Sequence, residues 1–182
     1  MPHKAPWIIR LKASWRFVSK ILRRGRGPTK EREHLDRAVL SDEEVERIAA
    51  AAYAVFSPSY APVMNALVWL SASAGLRMGE VLGMRWSSID ASYLHVDKQV
   101  DRRGLETAPK GGRSRVVLLA PEALATLDRF PPASDHEFVF YAQGGQPLSR
   151  GTLQRNFDQM RRAAGLGEVC FHDLRRYCRG QL

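Results

Sequence analysis

The sequence predicts an α+β domain, mainly helical, with one small antiparallel sheet of about three strands. Three observations lead there. A capped amphipathic helix starts at Ser41, and a helix apolar nearly all round follows from Ala61 to Leu70. Past Trp86 the apolar period changes from helical to alternating, in Tyr93-Leu94-His95-Val96 and in Val116-Val117-Leu118-Leu119. With 182 residues, 45% of them hydrophobic, the chain can bury the core of one domain and carry an appendage.

Residues 1–37 read as that appendage. Ile8, Leu11, Trp15, Val18 and Leu22 recur at spacings of three and four, with Arg10, Lys12, Arg16, Lys20, Arg23 and Arg24 between them. This is the pattern of a basic amphipathic helix. It can dock on the domain, lie on DNA or lie on an anionic membrane surface; a stretch translated from a misplaced start is the bland alternative. Gly25-Arg26-Gly27-Pro28 breaks it and opens a charged linker. The domain is expected to occupy residues 38–182.

Its first helix has Ser41 as N-cap and Glu44 at the third position, a capping box, with Leu40 and Val45 placed as a hydrophobic staple. Val45, Ile48, Ala49, Ala52, Val55 and Phe56 form one apolar stripe. The second helix is read as central because no face of it is polar. Gly75 can end it in the left-handed conformation, and Arg77 then stands at a turn before a short third helix. Gly104 and Gly111-Gly112 supply the sheet's turns. Pro121 opens a helix expected to run to about Phe130. Phe138-Val139-Phe140 reads as an isolated strand or a loop. Ser149 caps a helix with Leu153, Phe157, Met160 and Ala164 on one face and Arg150, Arg155, Arg161 and Arg162 on the other. His172 stands at the start of the last helix.

The net charge of +9 points to a polyanionic partner. Met1 to Glu33 holds ten basic and two acidic residues; the remaining 18 basic residues face 17 acidic ones. Any DNA-binding face on the domain must therefore come from local clusters, assigned here to Arg113, Arg115, Arg150, Arg155 and Arg176. Cys170 and Cys178 lack a CxxC or Cys/His ligand pattern and read as free thiols in a reducing cytoplasm. No apolar run reaches membrane-spanning length, so no membrane partner is expected.

Three stretches carry chemistry. Gly75-Leu76-Arg77-Met78-Gly79-Glu80 holds an arginine at a helix junction with a carboxylate three residues on. Lys110-Gly111-Gly112-Arg113-Ser114-Arg115 puts a lysine at a glycine turn before a strand. In His172-Asp173-Leu174-Arg175, the histidine and arginine share a helix face. Each has an ordinary structural explanation: a junction ion pair, a solvated turn lysine, a helix cap. In this order they resemble the catalytic domain of the tyrosine recombinase (phage integrase) family, over roughly Ala38 to Leu182.

The resemblance implies site-specific DNA recombination and integration of a mobile element, on double-stranded DNA. Arginine suits the charge that spreads over phosphate oxygens in the transition state, because its planar fork donates two parallel hydrogen bonds and stays charged. By resemblance, Arg77 and Arg175 clamp the phosphate, Lys110 gives a proton to the leaving 5′-oxygen, and His172 hydrogen-bonds the phosphate or assists that transfer. No metal, cofactor or small-molecule substrate is expected, and assembly with other recombinase protomers stays open.

The family's attacking tyrosine follows H-x-x-R by many residues, past another histidine or tryptophan. This sequence stops ten residues after His172. Tyr177 is a poor substitute, because two helical residues turn it about 200° away from Arg175. The expectation is a C-terminally incomplete catalytic domain, unable to cleave DNA as it stands. The alternatives are a non-catalytic DNA-binding regulator and a decayed mobile-element fragment.

Overall fold

A computed structural model describes residues 39–109, 111–130, 137–143 and 147–181. The basic arm and Lys110 lie outside the described residues.

Helix α1 spans Asp42–Val55. The Ser41 hydroxyl accepts from the Glu44 N–H at 3.2 Å, and the Glu44 carboxylate accepts from the Ser41 N–H at 2.8 Å. The predicted capping box is therefore formed on both sides, and three acids in the first turn suit the helix dipole. Leu40, Val45, Ile48, Ala49 and Ala52 are buried; the stripe fades at its end, where Val55 and Phe56 are half-buried.

Helix α2 runs over Ala61–Ala74, a turn beyond the expected Leu70. Ser71 allows the extension by turning its hydroxyl back to the Leu67 carbonyl at 2.6 Å. Val63, Met64, Ala66, Leu67, Val68 and Leu70 are fully buried. Each large apolar side chain of this kind contributes about 1.5–3 kcal/mol, which makes α2 the axis of the core. Helix α1 and the last helix pack on it, and the helix before the last packs on α1. Gly75 ends α2 at φ 59°, ψ 41°, the left-handed cap read from the sequence.

After helix α3, Met78–Leu82, and a 3-10 turn at Trp86–Ser88, the chain enters the sheet. Strands β1 (Ile89–Asp90), β2 (Tyr93–Val96) and β5 (Arg115–Leu118) form the expected three-stranded antiparallel sheet, in the order β1-β2-β5. Tyr93 pairs with Leu118 and Val96 with Arg115. Leu94 and Val96 point into the core while Tyr93 and His95 face out. The sequence reading did not anticipate a second element: β3 (Gln99–Val100) and β4 (Glu106–Thr107) form a separate hairpin.

That hairpin rests on α3 because α3 has glycine where it passes. A Cβ on Gly79 would lie 2.7 Å from the Val100 carbonyl oxygen, and one on Gly83 would lie 3.1 Å from Gln99 Cα. The two glycines, four apart, leave one face of the short helix bare for a strand backbone.

Helix α4, Pro121–Leu127, ends three residues earlier than expected. Phe130 precedes Pro131, which disfavours helical geometry there, yet its ring stays buried through a tighter turn onto Leu127. Phe138 makes an isolated antiparallel bridge with Arg85, which falls between the isolated strand and the loop that the sequence left open. Helix α5 spans Arg150–Ala163 with Ser149 as N-cap and Leu153, Phe157 and Met160 buried. Helix α6 spans Phe171–Gly180. Its N-cap N–H, on Cys170, is met by the Asp173 carboxylate at 2.8 Å, so this acid serves its own helix. Among the described residues, no helix is long and apolar enough to cross a membrane.

Candidate active site

The site is built on Glu80. Its side chain is 0% exposed, and four donors surround it. The Arg77 N–H donates to Oε2 at 2.8 Å and Arg77 Nη1 to Oε1 at 2.9 Å. Arg115, reaching in from β5, donates Nη1 to Oε1 at 2.8 Å and Nη2 to Oε2 at 2.7 Å. Arg175, from α6, stands with Nη1 3.8 Å from Oε2, and that nitrogen donates to the Gly75 carbonyl.

Local sequence explains each placement. Arg77 is the N-cap of α3 in an extended conformation, so its backbone N–H turns into the first helical turn. Glu80 is the third helical residue and reaches back to that N–H, as in one half of a capping box. Arg115 opens β5, which pairs with β2 beside α3. Arg175 projects from α6, which packs along α2 close to Gly75: a Cβ on Gly75 would lie 2.9 Å from Cys178 Sγ.

The electrostatics follow the geometry. Burial alone would raise the Glu80 pKa, but the hydrogen bonds from Arg115 and Arg77 outweigh it and bring it down to about 2. Arg175 is only 13% exposed on its side chain. Burial, and next to it the neighbouring Arg77 charge, pull its pKa down to about 10. Arg77 is thus the charge that most perturbs Arg175, and the two guanidiniums crowd one carboxylate. His172 is exposed one turn before Arg175, and partial burial followed by the Arg175 charge lowers its pKa. A cluster of cations with one buried anion can bind a phosphodiester without a metal; among the described residues no group of His, Cys, Asp and Glu is placed to hold one.

The structure therefore brings together Arg77 and Arg175, with His172 on the same helix as Arg175. Lys110 lies outside the described residues; of those near it, the Gly112 N–H donates to the Pro109 carbonyl. Arg113 is exposed. Arg150 and Arg155 lie exposed on α5, near Met78 and Thr152 respectively, and Arg176 sits 3.6 Å from Asp173. Arg115 differs from this set, because its fork is turned inward onto Glu80. Alternation could not have separated it from Arg113, because residues two apart in a strand share a face; what differs is that β5 begins at Arg115, which pairs with Val96, while Arg113 precedes the strand.

Tyr177 is directed elsewhere. Its hydroxyl donates to Asp42 Oδ1 at 2.9 Å, and Gln181 Nε2 reaches the same oxygen at 3.2 Å. Burial first, then that hydrogen bond, pushes the phenol pKa well above its ordinary value.

Fold and site together define the class: the catalytic core of the tyrosine recombinases. The chain belongs to the phage integrase family, whose model matches residues 38–182. It is 33% identical over 124 residues to tyrosine recombinase XerC 2 of Ralstonia nicotianae, covering 64% of this chain and 33% of that protein. It is 30% identical over 110 residues to the integrase of Escherichia phage lambda, covering 58% of this chain and 30% of that one. The chain thus spans about a third of the length of these relatives. Among solved structures, the XerA recombinase shares the fold at a TM-score of 0.62 and 24% identity, over 94% of this chain and 59% of that one. The lambda integrase catalytic core aligns at a TM-score of 0.55 and 28% identity, over 80% of this chain and 82% of that one. A lambda integrase tetramer bound to a Holliday junction aligns at a TM-score of 0.58 and 25% identity, over 92% of this chain and 48% of that one.

Proposed function

We propose that this chain acts in site-specific DNA recombination and integration, as the phosphate-binding part of a tyrosine recombinase. The observation that carries the reading is the convergence of Arg77 and Arg175 on the buried Glu80 carboxylate. In this reading the two guanidiniums take the non-bridging oxygens of one DNA phosphate, and His172 donates to the same group. Lys110, beside a glycine turn, is the acid for the leaving 5′-oxygen. Arg113, Arg150, Arg155 and Arg176 hold flanking phosphates, which position the duplex without reading its sequence. The partners are double-stranded DNA and other recombinase protomers, and the working place is the cytoplasm.

Engagement of the Tyr177 hydroxyl by Asp42 favours a second reading for the chain by itself: it binds DNA and makes no phosphotyrosine link through Tyr177. Binding of a labelled duplex, titrated over a range of salt, tests the first claim. Arg77→Ala and Arg175→Ala should each weaken it by about tenfold or more. Unchanged affinity in both variants would remove the clamp from the account.

A further inference from the structure

Glu80 has no acceptor position to spare. A carboxylate offers about four lone-pair sites, two on each oxygen. On Oε1 they are taken by Arg77 Nη1 and Arg115 Nη1, and on Oε2 by the Arg77 N–H and Arg115 Nη2, all between 2.7 and 2.9 Å. Arg175 approaches the same Oε2 but stops at 3.8 Å and gives that nitrogen to the Gly75 carbonyl. The carboxylate is already full when Arg175 arrives.

We propose that Arg115 is a positioning residue, whose fork saturates Glu80 and so keeps Arg175 off the carboxylate and open to a bound phosphate. The proposal rests on the phosphate-clamp reading above. Without the Arg115 fork, two acceptor positions on a side chain that is 0% exposed would fall open. A buried carboxylate left half-satisfied recruits the nearest cation. Arg77 is already on it at 2.9 Å, so the next cation in reach is Arg175, at 3.8 Å. Its capture would break the bond to Gly75 and withdraw from the phosphate one of the two guanidiniums that would hold it. Arg115 therefore acts on the substrate through Glu80. Lysine cannot replace it fully, because a point charge does not match both carboxylate oxygens at once.

The test is a double-mutant cycle with two readouts. Binding of a fixed duplex is followed by fluorescence anisotropy, and Arg175 by the NMR resonance of its side-chain Nε–H in labelled protein. Arg115→Gln should weaken binding about tenfold and move the Arg175 resonance. Arg115→Lys should recover part of both. In a Glu80→Gln background, where no carboxylate remains to capture Arg175, Arg115→Gln should change neither. An equal loss of affinity in both backgrounds would make Arg115 a direct phosphate ligand and overturn the proposal. So would an Arg175 resonance that stays put in Arg115→Gln. If Glu80→Gln does not fold, the Gln and Lys variants at position 115 still decide through the resonance. If the wild type binds no duplex, the clamp reading fails, while the Arg175 resonance still decides what Arg115 does.

Discussion

The carbonyl oxygen of Gly75 accepts a hydrogen bond from Nη1 of Arg175, one hundred residues later in the chain. The cap that ends the central helix is thus also the rest on which a site arginine lies. Gly75 does this at φ 59° and without a side chain, so that helix α6 can close onto it. Gly75→Ala should cost about 2–5 kcal/mol, combining left-handed strain of about 1–2 with overpacking of about 1–3. Urea unfolding measures it. Cys178→Ala in the same chain should return part of the loss, because Sγ is the atom that the new Cβ would meet at 2.9 Å.

Gly79 sets two effects against each other. Alanine is favoured over glycine inside a helix by about 1 kcal/mol. Here its Cβ would lie 2.7 Å from a backbone carbonyl of the β3–β4 hairpin, which a side-chain rotation cannot relieve. Overpacking costs about 1–3 kcal/mol, so Gly79→Ala should destabilise, by up to about 2 kcal/mol net. A more stable variant would show that the hairpin does not rest on α3.

Glu80 should link stability to pH. Its folded-state pKa, about 2, lies below the ordinary value of 4.5. Its contribution is therefore complete above about pH 4.5 and is lost as pH falls towards 2. At neutral pH it amounts to about 3 kcal/mol. Glu80→Gln, which leaves arginines facing a neutral amide, should be less stable than the wild type at pH 7. The gap should narrow below pH 4.5, as unfolding curves across pH would record.

Tyr177→Phe should remove the bond to Asp42 and little else, a loss of about 1 kcal/mol. Incubated with nicked, labelled duplex DNA and run on a denaturing gel, neither wild type nor variant should give an adduct through this residue. A labelled protein–DNA adduct that vanishes in Tyr177→Phe would make Tyr177 the nucleophile.

What the sequence disclosed depended on how local each feature was. The Ser41 capping box, the Gly75 cap and the all-round apolar helix are set by neighbours a few residues apart, and their placement was legible. The short Arg77-to-Glu80 spacing gave that ion pair in advance. The fourfold saturation of Glu80 was not legible, because Arg115 lies 35 residues away and its direction depends on strand register. Arg113 and Arg115 look alike in a list of charges, and only pairing with β2 turns one inward. The β3–β4 hairpin escaped for a similar reason. Its strands are two residues long, and its support is the absence of side chains at Gly79 and Gly83, which gives no hydrophobic pattern. Helix α4 stops early where Pro131 follows Phe130, a restriction that the sequence itself carries.

The most direct test of the central claim is a crystal of the protein soaked in tungstate, a heavy tetrahedral stand-in for phosphate that anomalous scattering locates. One tungstate should lie within hydrogen-bond distance of both the Arg77 and Arg175 guanidiniums, with His172 beside it and Arg115 still on Glu80. Tungstate bound elsewhere, or guanidiniums of Arg77 and Arg175 reaching separate anions, would contradict the account.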